Sequence, residues 1–173
     1  MKQYECSVII VQYNPIWQKL KRTLNSVISQ KECIYEIVIA DDGSNCNLFD
    51  EIQQYFAECS FVDYKLVDNK NNQGTVKNVI SGLKAGTGKY ARVIAPGDML
   101  YSDTTLKKIV EFMNQHNAKE VFGKMVFYSK ENEDIKCFFQ PIPKKLKPYK
   151  QKDKKGIKKH LVGLGDNISG ASY

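Results

Sequence analysis

"CSVIIVQYNP", residues 6–15, decides how the rest of the chain is read. Val8, Ile9, Ile10 and Val11 follow one another with no polar alternation. A continuous β-branched run of this kind is expected of a strand covered on both faces, as in a parallel sheet between helices. Asn14 and Pro15 break the run and offer an N-cap and a first-turn residue for a helix. Beyond them Ile16, Leu20, Leu24, Val27 and Ile28 recur at helical spacing on one stripe.

The same unit recurs three more times. "YEIVIA" (35–40) reads as a strand and "DDGSN" as its loop, with Leu48, Ile52, Tyr55, Phe56 and Cys59 as a helix face. "DYKLV" (63–67) is the third strand, followed by the polar loop "DNKNNQG" and a helix marked by Val76, Val79, Ile80 and Leu83. "KYARVIA" (89–95) is the fourth, leading through "PGD" to a helix with Leu106, Ile109, Val110 and Met113 on one side and Ser102 or Asp103 as its cap. Strand, loop and helix alternating four times predict an α/β fold, a mostly parallel central sheet flanked by helices. After residue 120 the pattern shifts: "EVFGKMVFYS" and "DIKCFFQ" alternate like strands around the turn "KENED". No linker divides the 173 residues, which read as a single domain with a first half, 1–115, and a changed second half, 116–173.

Charge and cysteine content narrow the setting. Of the formal net charge of +7, the segment 144–160 carries nine lysines against one aspartate, leaving 17 basic and 18 acidic residues elsewhere. The basicity therefore belongs to one segment, which is either a solvated face or a contact for an anionic membrane surface. Nucleic acid is not expected there, because Tyr149 is the only aromatic in the run and stacking platforms need several. Five scattered cysteines, odd in number and without a CxxC pair, argue against a disulfide framework or a zinc site and fit a reducing cytoplasm. No signal-peptide pattern opens the chain, and no apolar run approaches the roughly 18 residues of a membrane span. His116 and His160 read as surface residues, Trp17 as packing, and Ser44 has no base at a motif-like spacing.

In an open parallel sheet, ligands bind outside the carboxyl ends of the strands. Three polar clusters fall there: "QYN" after the first strand, "DDGS" after the second and "APGD" after the fourth. Each alone is equally a turn or a helix cap. Together they direct Asp41, Asp42 and Asp98 to one crevice, where three carboxylates repel unless a cation or a hydrogen-bond donor sits among them. A nucleotide carrying a divalent metal on its diphosphate supplies both.

In order and spacing, "SVIIVQYN", "EIVIADDGS", "NNQGTVKN" and "GKYARVIAPGDML" resemble the N-terminal half of family 2 glycosyltransferases of the GT-A fold, over roughly residues 6–115. The resemblance implies a nucleotide-sugar donor, a UDP-sugar foremost, and transfer with inversion to a glycan or lipid-linked acceptor in surface polysaccharide synthesis. It implies that Tyr13 stacks near the base and that one or both of Asp41 and Asp42 bind it, Asp42 foremost as the partner of a uracil N–H. Gly74, Lys77 and Asn78 would lie along the nucleotide, with Lys77 in place of a more usual arginine, so that the charge is kept and the bidentate fork lost. Asp98 would hold the divalent metal, manganese or magnesium. Ala95 and Gly97 stand where relatives often carry acids, which leaves one carboxylate, and magnesium is often held by one or two together with phosphates. The catalytic base of such enzymes comes from an acidic motif later in the chain. "NISGASY" reads as the strand before it and Asp166 falls too early to serve, so the chain is expected to be a donor-binding portion that transfers sugar poorly. Rival readings are a sugar-nucleotidyltransferase, which lacks support because no Gly-rich basic loop follows the first strand, and a non-catalytic nucleotide- or partner-binding module. A dinucleotide-dependent oxidoreductase is excluded for want of a GxGxxG after a strand.

Overall fold

Parallel pairing runs in register through the first strand. In the computed structural model, which describes residues 2–121, 126–128, 135–137 and 151–156, β1 (Cys6–Gln12) pairs with β2 (Tyr35–Asp41) from Cys6↔Tyr35 to Gln12↔Asp41. On its other side β1 pairs with β4 (Tyr90–Ile94), and β3 (Tyr64–Asp68) pairs with β2, giving the order β3-β2-β1-β4 with every neighbour parallel. The chain steps outward from β1 to β3 and then returns to the opposite side of β1. The topological switch point therefore lies between β1 and β4, where sheets of this class open a crevice for ligands.

The helices α1 (Trp17–Ile28), α2 (Phe49–Glu58), α3 (Thr75–Ala85) and α4 (Thr105–His116) cover both faces. Because strand side chains alternate, Val8, Ile10, Ile37 and Ile39 point one way. They merge with Leu20, Leu24 and Val27 of α1, Ile52 and Phe56 of α2, and Leu106 and Val110 of α4 in one buried core. Ile9 and Ala40 point the other way, onto α3.

Helix α3 departs from its periodicity. The apolar stripe Val76, Val79, Ile80, Leu83 is not the face it buries: Val76 is 73% exposed and Ile80 44%, whereas Asn78 and Gly82 are buried. The reason is close approach. A Cβ at Gly82 would stand 2.4 Å from Ile9 Cγ2, so only glycine lets the helix lie this near the sheet. At that distance the Asn78 amide donates to the Gln12 and Ala40 carbonyls, at 3.2 and 3.0 Å. Two caps also differ from expectation. Helix α1 starts at Trp17 with Ile16 as N-cap, and Asn14 instead sits at φ +45 with its Oδ1 accepting the Asn45 N–H. For α4 the N-cap is Thr104, and neither Ser102 nor Asp103 fills that position.

Away from the carboxyl edge, Glu36 is buried on the α3 face of β2 and held by Lys65 at 2.9 Å, the Ser7 hydroxyl at 2.7 Å, and the backbone N–H and hydroxyl of Thr87. Burial pushes its pKa up, but these donors outweigh burial and bring it down to about 2.

The chain separates into two compact units, Met1–Val121 and Phe122–Tyr173. In the second, β5 (Val126–Tyr128) and β6 (Ile135–Cys137) fall within the two stretches read as strands, and they pair antiparallel. Of the lysine-rich segment, residues 151–156 are described. The rest of it, His160, Asp166 and "NISGASY" lie outside the described residues. Among the described residues no helix is long and apolar enough to cross a membrane.

Candidate nucleotide site

The carboxyl edge of β1 and β2 is built around two buried acids with different partners. Asp41, closing β2, is fully buried. Its Oδ1 accepts the Ser44 N–H at 2.7 Å, and its Oδ2 accepts the Ser44 hydroxyl at 2.6 Å and Gln12 Nε2 at 3.1 Å. A buried carboxylate needs such donors, and here they fold the loop after β2 back over the strand end. Asp42 turns the other way: Oδ1 accepts the Gln73 N–H and Oδ2 the Gly74 N–H, both at 2.9 Å. It thereby ties the entrance of α3 to the end of β2, and each of its oxygens keeps a lone pair for a further donor.

Gly43 lets these loops meet. It adopts φ +74, and a Cβ there would lie 2.6–2.8 Å from the backbone of Asn71 and Asn72. Asn69 completes the seam by donating to Asn78 Oδ1 at 3.0 Å and to the Asp41 carbonyl at 2.9 Å. Asn78 is thus a buried bracket joining β1, β2 and the loop after β3. Lys77, beside it in the first turn of α3, is exposed, as is Tyr13 at the end of β1.

Across the switch point, β4 ends in a turn closed by the Asp98 N–H on the Ala95 carbonyl at 3.0 Å. Asp98 itself is exposed. Burial lowers the pKa of Arg92 in β4, and the negative charge of Asp98 opposes that shift. The structure therefore joins Asp42 to Gly74 directly and brackets Asn78 beneath them. Tyr13 and Asp98 leave from the adjacent strands β1 and β4 at the same edge. Among the described residues no three His, Cys, Asp or Glu side chains gather as a metal cage. A lone exposed carboxylate fits a hydrated divalent ion that takes its remaining ligands from phosphates.

Several residues at this edge were given no role by the sequence, although Gln12 and Ser44 lie inside its motifs. Gln12 is buried with Nε2 bonded to the Asn47 carbonyl at 2.6 Å as well as to Asp41, and its Oε1 has no hydrogen-bond partner among the described residues. A polar residue closing an otherwise apolar strand was the available clue. Ser44 stood in "DDGS" without an assigned role, and Asn69 looked like an ordinary loop residue.

The model of the family described as Glycosyl transferase family 2 matches residues 7–165. The chain belongs to that family. Among its relatives is a protein named as a glycosyltransferase, EpsE of Bacillus subtilis, 32% identical over 118 residues, which cover 68% of this chain and 41% of EpsE. An uncharacterized glycosyltransferase of Haemophilus influenzae is 30% identical over 120 residues, 68% of this chain and 35% of that protein. The chain thus spans less than half the length of these relatives. Among solved structures, Staphylococcus aureus TarS 1–349 in complex with UDP superposes with a TM-score of 0.62 at 23% identity, covering 74% of this chain and 37% of that one. Mannosyltransferase PcManGT from Pyrobaculum calidifontis, in complex with GDP-Man and Mn2+, gives 0.61 at 15% identity, covering 76% and 37%. At these identities the likeness establishes the fold, which is the GT-A fold of family 2.

Proposed function

We propose that the chain is the donor-binding part of a glycosyltransferase that takes a sugar from a UDP-sugar and passes it, with inversion, to a glycan or lipid-linked acceptor in surface polysaccharide synthesis. The observation that carries the reading is the tie between Asp42 and the entrance of α3, set one strand away from the crevice between Tyr13 and Asp98. Asp42 accepts the uracil N–H through its remaining lone pairs, and the exposed Tyr13 ring covers the base. Asp41 acts by holding the loop that carries Asp42. Lys77, near the positive end of α3, meets the diphosphate and stabilises it as the leaving group, while Gly74 and Asn78 keep that helix in place.

Asp98 is the residue that would hold a manganese or magnesium ion. When bound, the ion supplies charge neutralisation on the diphosphate. The base that deprotonates the acceptor hydroxyl is not among the residues of this edge. A lipid-linked acceptor would bring the protein to the inner face of a membrane, with the lysines of 144–160 meeting anionic headgroups.

A thermal-shift titration with UDP, GDP and UDP-sugars, each with and without Mn2+, tests the proposal. Stabilisation by UDP that needs Mn2+ and is lost in Asp98→Ala is the expected result. Stabilisation indifferent to both would instead favour a nucleotide-binding module without transfer chemistry, the reading supported by the single carboxylate at 98. Liposome pelleting at low and high salt addresses the membrane contact.

A further inference from the structure

Helix α1 and the residues just after it carry polar side chains that bond back to α1 carbonyls and also reach across to the segment bearing Asp98. Thr23 and Ser26, three residues apart, lie on one side of α1, and Gln30 follows just past the C-cap Ser29. Thr23 is fully buried. Its hydroxyl oxygen accepts the Gly97 N–H at 2.9 Å and donates to the Asp98 carbonyl at 2.7 Å. It therefore holds the backbone on both sides of the peptide that leads into Asp98. One turn on, Ser26 Oγ accepts the Leu100 N–H at 3.1 Å. Gln30 then closes the row, its Nε2 donating to the Ser102 carbonyl at 2.5 Å and its Oε1 accepting the Leu106 N–H at 2.9 Å. Among the described residues the segment between β4 and α4 forms no ladder with another strand, and these side chains help fix its path together with the Lys31 N–H on the Asp103 carbonyl and the buried Leu100.

The geometry points to Thr23 as a positioning residue for the metal contact of Asp98, with Ser26 and Gln30 extending the same clamp down the segment. The inference rests on the reading of Asp98 as metal ligand. Its physical basis is the leanness of the site. Ala95 and Gly97 offer no carboxylate, so a displaced Asp98 has no neighbour to take over its ligand position. A backbone held at the Gly97 N–H and the Asp98 carbonyl leaves only the side-chain rotamers of Asp98 free. The cost of ordering the ligand is then met on folding and not on binding.

The test measures UDP affinity by calorimetry on the full 173-residue chain, with and without Mn2+, in the original sequence and in Thr23→Val, Thr23→Ser, Ser26→Ala and Asp98→Ala. Thr23→Val keeps the shape and removes the hydroxyl. It is expected to weaken Mn2+-dependent UDP binding about tenfold, the scale seen when a residue supporting a metal ligand is removed. Binding of UDP alone should move by less than about twofold. Thr23→Ser should restore the Mn2+ dependence, and Ser26→Ala should weaken it about threefold, which keeps the test informative if Thr23→Val does not fold. If the threonine only braces the fold, Thr23→Val and Ser26→Ala lower the melting temperature and leave the ratio of the two affinities unchanged, which overturns the inference. Mn2+ dependence that Asp98→Ala abolishes while both α1 variants keep it overturns the inference alone. A chain whose UDP binding ignores Mn2+ from the outset overturns the metal reading with it.

Discussion

Asp41 and Asp42 are adjacent in sequence and do different work, because consecutive residues at a strand end face opposite ways. Asp41 points to its own loop and is held by three donors from Ser44 and Gln12, whereas Asp42 reaches the entrance of α3. The contact between those loops passes through Gly43, where a side chain would meet main chain at 2.6–2.8 Å and φ is already +74. Gly43→Ala is therefore expected to cost about 1–3 kcal/mol, the range for forcing a side chain into a strained backbone site. Chemical denaturation measures this. UDP affinity in the same variant should fall, since the displaced loop carries the Gln73 and Gly74 N–H groups away from Asp42. An alanine variant as stable as the parent would mean that the loops are not pressed together.

At the scale of the element, α3 shows how a helix can bury its polar side. Its place is set by Asn78 reaching two strand carbonyls and by Gly82 lying on Ile9. Helix propensity alone would favour alanine at 82 by about 1 kcal/mol, but a methyl group there arrives at 2.4 Å from Ile9 Cγ2. Overpacking of this kind costs about 1–3 kcal/mol. Gly82→Ala should thus lower the denaturation midpoint despite its better propensity, and a raised midpoint would contradict the close approach. Helix α1 presents the opposite case, with an apolar side in the core and a polar row on the segment of Asp98, so that one helix couples sheet packing to the candidate metal position.

For the molecule as a whole, acid stability should depend on Glu36. Its pKa in the folded chain is about 2 against an ordinary 4.5. A depressed carboxylate contributes its full stabilisation above the unfolded value and loses it as pH falls through the folded one. Stability should therefore hold above about pH 4.5 and decline between there and pH 2. The size is on the order of 2–3 kcal/mol, from 1.36 kcal/mol per pKa unit, reduced because Lys65 is 41% exposed. Urea midpoints measured from pH 7 to pH 2.5 would show this limb, and Glu36→Gln should flatten it while lowering stability at neutral pH. An unchanged limb would assign acid sensitivity to other carboxylates.

The four strands, their parallel pairing and the family were legible in the sequence, because buried strands and their end loops write continuous apolar runs and polar clusters into neighbouring positions. Asp41, Asp42 and Asp98 were visible for the same reason: each sits at the end of such a run. What the sequence could not convey was which partner each polar group meets. Thr23 is 74 residues from Gly97, and Asn78 is 66 from Gln12. A hydroxyl or an amide has no preferred spacing to such a partner, so it leaves no periodic trace. The buried face of α3 was hidden by the same limit, since apolar periodicity reports which side of a helix can be buried. Only the approach of Gly82 to Ile9, a contact made once the sheet exists, decided which side is.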